Sequence, residues 1–480
     1  MRNLRARAIQ ITFAFLILVL SFLYYSNSAS FEDLRSQLQT TEPSLRIEAL
    51  LQITLPYEAP FFPLLLNTLE DPDPIVAHTA FQILQKSSPA EILPFLQTAF
   101  NQKSPILRQK IIQLLAHFGY SAKPILPFLL QVYSENEIVV QIEILAQITK
   151  IAPTSPEVFV LLKNALQQES PLLRQQALTT LASLPPTLDL SFEPYFILAL
   201  RDPLPEIRIL AITLLDQMAC YTALPTLLLC LKDSQFGVRE SAILAIIHLG
   251  KTHLEILPSL LNTAQNCDPS SREAFLKVFY GIGKEAIITL PFVLQCLQDS
   301  DEWVQLHATR CAGVFQAVVT VPYLIPFLKN PSLPIFPEAL KALGAIRHPQ
   351  PIPDLLRLLQ NIPKEHRSLL SWTLAQMPPK NIFPLLKPLL QETKVYLRCQ
   401  ALWILGELND PIGIFALSLA LNDEDYLVRR EAIRALGKLG EKAKGLEVDL
   451  QKALTDIDEE VRNEAKCILS KFQEKDPVKK

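Results

Sequence analysis

Apolar residues along this chain recur at i, i+3, i+4 and i+7 in short blocks that come in pairs, and polar or proline-bearing junctions separate the blocks. The 3.6-residue spacing predicts amphipathic helices, and the pairing predicts helical hairpins. One pattern, L-P-x-L-L-x-x-L-x-D-x-D-x-x-V-R-x-x-A-x-x-x-L-x-x-L-G, recurs from Phe31 almost to the C-terminus. Its period is read from the position of Arg429, which steps through Arg46, Ala77, Arg108, Gln141, Arg174, Arg208, Arg239, Arg272, Gln305, Phe336, Arg367, Arg398, Arg429 and Arg462. From 46 to 462 is 416 residues in 13 steps, a mean of 32. A fixed period of this length predicts an all-α fold, an α-solenoid of about fourteen antiparallel helix pairs.

Other columns agree. Three residues beyond the arginine stand Ala49, Ala80, Ala177, Ala211, Ala242, Ala308, Ala339, Ala401, Ala432 and Ala465, with Ile111, Ile144, Phe275 and Leu370 in the remaining repeats. Small residues at one register allow close helix packing. Pro63, Pro94, Pro127, Pro194, Pro225, Pro258, Pro291, Pro322, Pro353 and Pro384 are expected to begin the first helices, where a missing N–H costs nothing. Asp202, Asp233, Asp299, Asp423 and Asp456 fall in the hairpin turns, and Gly119, Gly250, Gly283 and Gly440 are placed to close second helices in a left-handed conformation. Pro334 and Pro337 predict a local irregularity at the second helix of repeat 10.

Composition narrows the picture. A chain of 480 residues exceeds what one globular core sustains, and repetition resolves that. With 12 Gly and 38 Pro, tight β-turns are disfavoured. A net charge of −3 supplies no basic field for a nucleic-acid backbone, so nucleic acid is not an expected partner. The mean hydropathy of +0.22 is explained by helices that bury faces against both neighbours, although a lipid-contacting solenoid is a further reading.

Residues 1–30 differ from the rest. Arg2, Arg5 and Arg7 precede an uncharged apolar stretch, Ala8 to Tyr25. Its 18 residues fit either an uncleaved signal-anchor or the core of a cleaved signal peptide. In either case the solenoid is expected outside the cytoplasm, on the periplasmic side of a bacterial membrane or secreted. The expected domains are 1–30 as this targeting segment, 31–474 as the solenoid and 475–480 as a polar tail.

The recurring Asp and Arg suggest chemistry but repeat too often for a unique active site, so a structural role is expected. Seven histidines are scattered, and His248 and His253 are not spaced to share a helical face, so no metal or cofactor is expected. Of the seven cysteines, Cys296 and Cys311 are the nearest candidates for a disulfide in an exported protein; as small apolar fillers they need no partner.

The stretches DEDYLVRREAIRALGKLG and DIDEEVRNEAKCILSKF resemble HEAT repeats, in particular the short phycobilisome-lyase-type repeats of bacterial proteins, over residues 31–474. The resemblance implies a HEAT-like superhelix with the second helices on its concave face, and a ladder of the recurring Asp and Arg that satisfies helix ends and bridges neighbouring repeats. Five residues beyond the arginine, repeats 8–13 place Lys277, Arg310, Lys341, Trp372, Trp403 and Arg434 on that face, with Arg430 and Lys438 beside the tryptophans. Aromatic anchors flanked by cations suit a protein partner with acidic groups. The expected function is a non-enzymatic protein-binding scaffold. The resemblance also implies the alternative of a bilin lyase or isomerase, which export to the periplasm disfavours.

Overall fold

The computed structural model describes residues 30–53, 59–101, 104–135, 137–184 and 189–474. The apolar stretch Ala8–Tyr25 and the tail 475–480 lie outside these. Among the described residues there are helices and no strands, and no helix is long and apolar enough to cross a membrane. The fold is an all-α solenoid. Its chain forms two compact units, dividing after Met218.

The first unit holds repeats 1–6, whose second helices are Pro43–Gln52, Pro74–Leu84, Pro105–Phe118, Ile138–Ile151, Pro171–Ala182 and Pro205–Gln217. The second unit holds repeats 7–14, with second helices Phe236–Thr252, Arg272–Ile282, Glu302–Phe315, Ile335–Ile346, Lys364–Ala375, Val395–Leu408, Tyr426–Leu439 and Glu459–Glu474. The alanine column forms the centre of both units: all ten members are 0% exposed, as are Ile111, Ile144 and Leu370. Ten repeats fill this register with a methyl group and four with a larger apolar side chain, so what the fold fixes here is burial between a second helix and its neighbours.

The Asp–Arg ladder exists, and its geometry shows why each residue type recurs. Asp71, Asp202, Asp299, Asp423 and Asp456 each accept a backbone N–H from two residues on, which tightens the hairpin turn. The arginine of the preceding repeat then bonds that carboxylate: Arg46 to Asp71 at 2.8 Å, Arg174 to Asp202 at 2.6 Å, Arg398 to Asp423 at 2.8 Å and Arg429 to Asp456 at 2.8 Å. The same guanidinium donates to carbonyls of its own turn, Arg398 to Glu392 and Arg429 to Asp423. Where Gln replaces Arg, the turn contact survives, from Gln141 to the Tyr133 carbonyl and from Gln305 to that of Asp299.

Several expectations need correction. Pro94 and Pro384 do not begin helices; they lie inside Pro89–Phe100 and Pro379–Leu386, which start on earlier prolines. Gly250 does not close its helix, which runs on to Thr252; a Cβ there would collide with the Ile282 side chain, so its lack of one serves packing. Gly119, Gly283 and Gly440 do cap their helices with φ of 54°, 100° and 52°. At the same register in repeats 9, 10 and 12, Gln316, Arg347 and Asn409 cap in the αL conformation with ψ of 38°, 36° and 38°, whereas the three glycines have ψ of −131°, −150° and −127°. At repeat 10 the irregularity falls mainly on the first helix, reduced to Val321–Leu324 and a 3-10 turn, Ile325–Lys329, with Pro326 near its start. Pro334 is the N-cap of the second helix and Pro337 sits in its first turn, where neither interrupts a bond.

Candidate functional site

The eight residues singled out from the sequence lie on second helices of the second unit. Glycines draw these helices together. A Cβ on Gly313 would lie 2.9 Å from the Ala342 Cα, and one on Gly406 would lie 2.8 Å from the Ala435 Cα, so backbones of consecutive repeats nearly touch. At Gly344 the neighbour is the Trp372 ring, which would stand 2.8 Å from an added Cβ. Trp372 thus rests on a glycine of the preceding repeat and keeps 41% of its surface in solvent. Trp403 is half-buried, with the Lys438 ammonium 4.8 Å above its ring.

The column is not uniformly solvent-facing as expected: Lys341, Trp372 and Arg434 are exposed, whereas Lys277, Arg310 and Trp403 are half-buried by the tight approach of neighbouring helices. Nor do its cations stand free. Lys277 bonds Glu240 and Glu273, each at 3.0 Å. Glu338 takes Arg310 at 3.3 Å and Lys341 at 3.0 Å. Arg434 donates to Glu464 at 2.8 Å, Arg430 pairs with Glu460, and Lys438 pairs with Glu407. Most of these pairs join adjacent repeats. Periodicity missed the acids because they occupy several columns; the column two beyond the arginine, with Glu338, Glu431 and Glu464, was the available signal.

Local electrostatics follow from burial and pairing. Burial opposes the charge on Lys277, yet hydrogen bonds to Glu273 and Glu240 hold it above the ordinary lysine value. Glu338 is pushed up by burial but held below the usual range by Arg310 and Lys341. Glu431, which burial dominates, is raised. His307 is buried 3.5 Å from Glu273, and desolvation lowers its pKa toward the neutral imidazole. A cavity of about 360 Å³ opens among Tyr280, Arg310, Gly313, Glu338 and Lys341. It is large enough for a partner's side chain.

The seven cysteines are free thiols, and no disulfide joins Cys296 to Cys311. Cys311 instead donates to the Leu276 carbonyl at 3.2 Å. Burial pushes the Cys296 thiol up to about 12, the behaviour of an inert core residue. Among the described residues no cluster of three or more His, Cys, Asp or Glu is arranged to hold a metal ion.

Residues 193–278 and 290–375 match the family model described as HEAT repeats. These repeats are HEAT repeats. No curated protein matches the chain. Among solved structures, importin β crystallised with polyethylene glycol is similar over 91% of this chain and 73% of its own, at 13% identity and a TM-score of 0.57. Importin β crystallised with ammonium sulfate gives 0.52 at 13% identity, over 92% and 73% of the two chains. Kap121p bound to Nup53p gives 0.52 at 14% identity, over 93% of this chain and 62% of that one. At such identities the likeness is one of fold, here the stacking of HEAT repeats.

Proposed function

We propose that the protein is a non-enzymatic scaffold whose second-helix face in repeats 8–13 binds a protein partner. The observation that carries this reading is Trp372, a large aromatic supported from below by Gly344 and left open above, on a surface lined with charges already held in place. A preorganised aromatic anchor ringed by ordered polar groups is the arrangement in which a few residues supply most of the binding energy. Each cation has a glutamate, so an acidic partner must exchange its own carboxylate for one of these. Trp372 and Trp403 therefore provide the affinity, and Arg430, Arg434 and Lys438 the orientation. Solenoids of this fold do receive protein segments, as the Kap121p complex with Nup53p illustrates. Tethering by the N-terminal stretch, with the solenoid outside the cytoplasm, belongs to the same proposal and rests on the sequence alone.

The test is affinity capture from native envelope after mild crosslinking, with wild type and a Trp372→Ala/Trp403→Ala variant at matched folded amounts. A discrete protein retained by the first and lost by the second is the expected result. A partner retained equally by both sinks the assignment of the site. A chromophore absorbing in the visible region and purifying with the chain would shift the reading to a bilin lyase. N-terminal sequencing of the mature protein separates a cleaved signal from an anchor.

A further inference from the structure

In the first unit, four consecutive second helices carry a large aliphatic residue at their second position and leave it in solvent. Ile75, Ile106, Val139 and Leu172 are 63%, 59%, 48% and 55% exposed. The core does not need them: the next residue in each helix, Val76, Leu107, Val140 or Leu173, is at most 4% exposed and makes the inward contact. Nor does the helix favour them there. The first turn of a helix offers free N–H groups and the positive end of its dipole, a place for acidic or polar side chains. The following repeat conforms, with Glu206 at that position.

The backbone holds the four in equivalent places. Pro74, Pro105 and Pro171 open three of the helices, and Asp73 and Ser104 cap two of them. The side chains therefore form a row along the hairpin-turn edge, one per repeat. Helices packed side by side lie about 8–10 Å apart, which sets the spacing of the row. A polyproline II chain advances about 9.3 Å in three residues, so apolar groups at every third position of an extended peptide keep step with it. The edge is also acidic. Glu70, Glu137 and Glu169 are exposed; Glu70 faces Lys110, whose ammonium donates to the Leu69 carbonyl, and Glu137 and Glu169 form no ion pair among the described residues, while Arg46 and Arg174 are engaged by Asp71 and Asp202 and Arg108 donates to the Phe100 carbonyl.

We propose that this edge docks an extended basic peptide with an apolar residue at every third position. Aliphatic contacts set the register, and the glutamates take the intervening cations. The acidic lining makes the surface of an anionic membrane a poorer occupant.

Fluorescence anisotropy with the full chain and a labelled peptide of four Leu-Lys-Pro units tests this. Wild type binds, and affinity falls as salt is raised. The Ile75→Ser/Ile106→Ser/Val139→Ser/Leu172→Ser variant weakens binding by about tenfold or more. A second variant, Glu70→Lys/Glu137→Lys/Glu169→Lys, leaves every aliphatic in place and also weakens it by about tenfold. A Leu-Lys repeat, with its apolar residues at every second position, binds more weakly than the Leu-Lys-Pro peptide. The proposal is overturned if wild type does not bind, or if the serine variant binds as tightly. It is equally overturned if the serine substitutions instead abolish flotation with phosphatidylglycerol vesicles or dimerisation in sedimentation while peptide binding persists.

Discussion

A single rung of the ladder combines roles that are usually separate. Asp423 closes its own turn through the Asp425 N–H, and it neutralises Arg398, whose side chain is only 7% exposed. Asp423→Ala removes both contacts and leaves the buried guanidinium with the Glu424 carboxylate at 3.6 Å and the carbonyls of its own turn, with an expected loss of about 1–3 kcal/mol by chemical denaturation. Asp423→Asn, which keeps the turn, is expected to lose less. The pH dependence has a definite sign. Hydrogen bonds from Arg429 hold Asp456 below the ordinary aspartate value, and Asp299 is lowered as well, because although burial opposes its charge, the Asp301 N–H and Arg272 prevail. A carboxyl depressed in the folded state stabilises above its unfolded pKa of about 3.9, and that contribution disappears as pH falls below it. Thermal midpoints should therefore drop below about pH 4, and Asp456→Asn should flatten that decline. The recurrence of Asp and Arg was legible in the sequence. That each arginine reaches into the following repeat was not, since a column of identical residues does not say which neighbour each one faces.

Between helices, glycine decides the spacing. Gly406→Ala would drive a methyl into the Ala435 backbone, where nothing can rotate away, and should cost about 1–3 kcal/mol. Gly344→Ala meets the Trp372 ring instead and should lift it. Its expected signature is a change in tryptophan emission and a loss of partner binding, with a smaller effect on stability. Helix type and register were readable from apolar spacing because the alanine column is buried in every repeat and therefore always apolar. Helix starts were less so: Pro94 and Pro384 look like first-turn prolines, but Pro89 and Pro379 upstream are equally compatible with that role. The site was half visible. Trp372 and Trp403 stood out by type and period, whereas the glutamates that neutralise the column, and the glycine that supports Trp372, became apparent only when adjacent repeats were brought together.

Across the molecule, stability is a sum of neighbour-to-neighbour contacts in two units rather than the property of one core. Damage should accordingly remain local. In Asp423→Ala, hydrogen exchange is expected to accelerate by about tenfold or more in repeats 12 and 13 while repeats 1–6 keep their protection. Uniform acceleration through both units would contradict this. The ladder has a final implication for how such a chain changes length. Arg398 to Asp423 and Arg429 to Asp456 are the same bond one repeat apart, so duplicating or excising the helix pair between them leaves each of these arginines facing a carboxylate. Any insertion within a pair that alters the distance between turn and arginine strands a charge. Genetic growth of this protein is thus granular: it tolerates recombination at the junctions between repeats and resists it inside them.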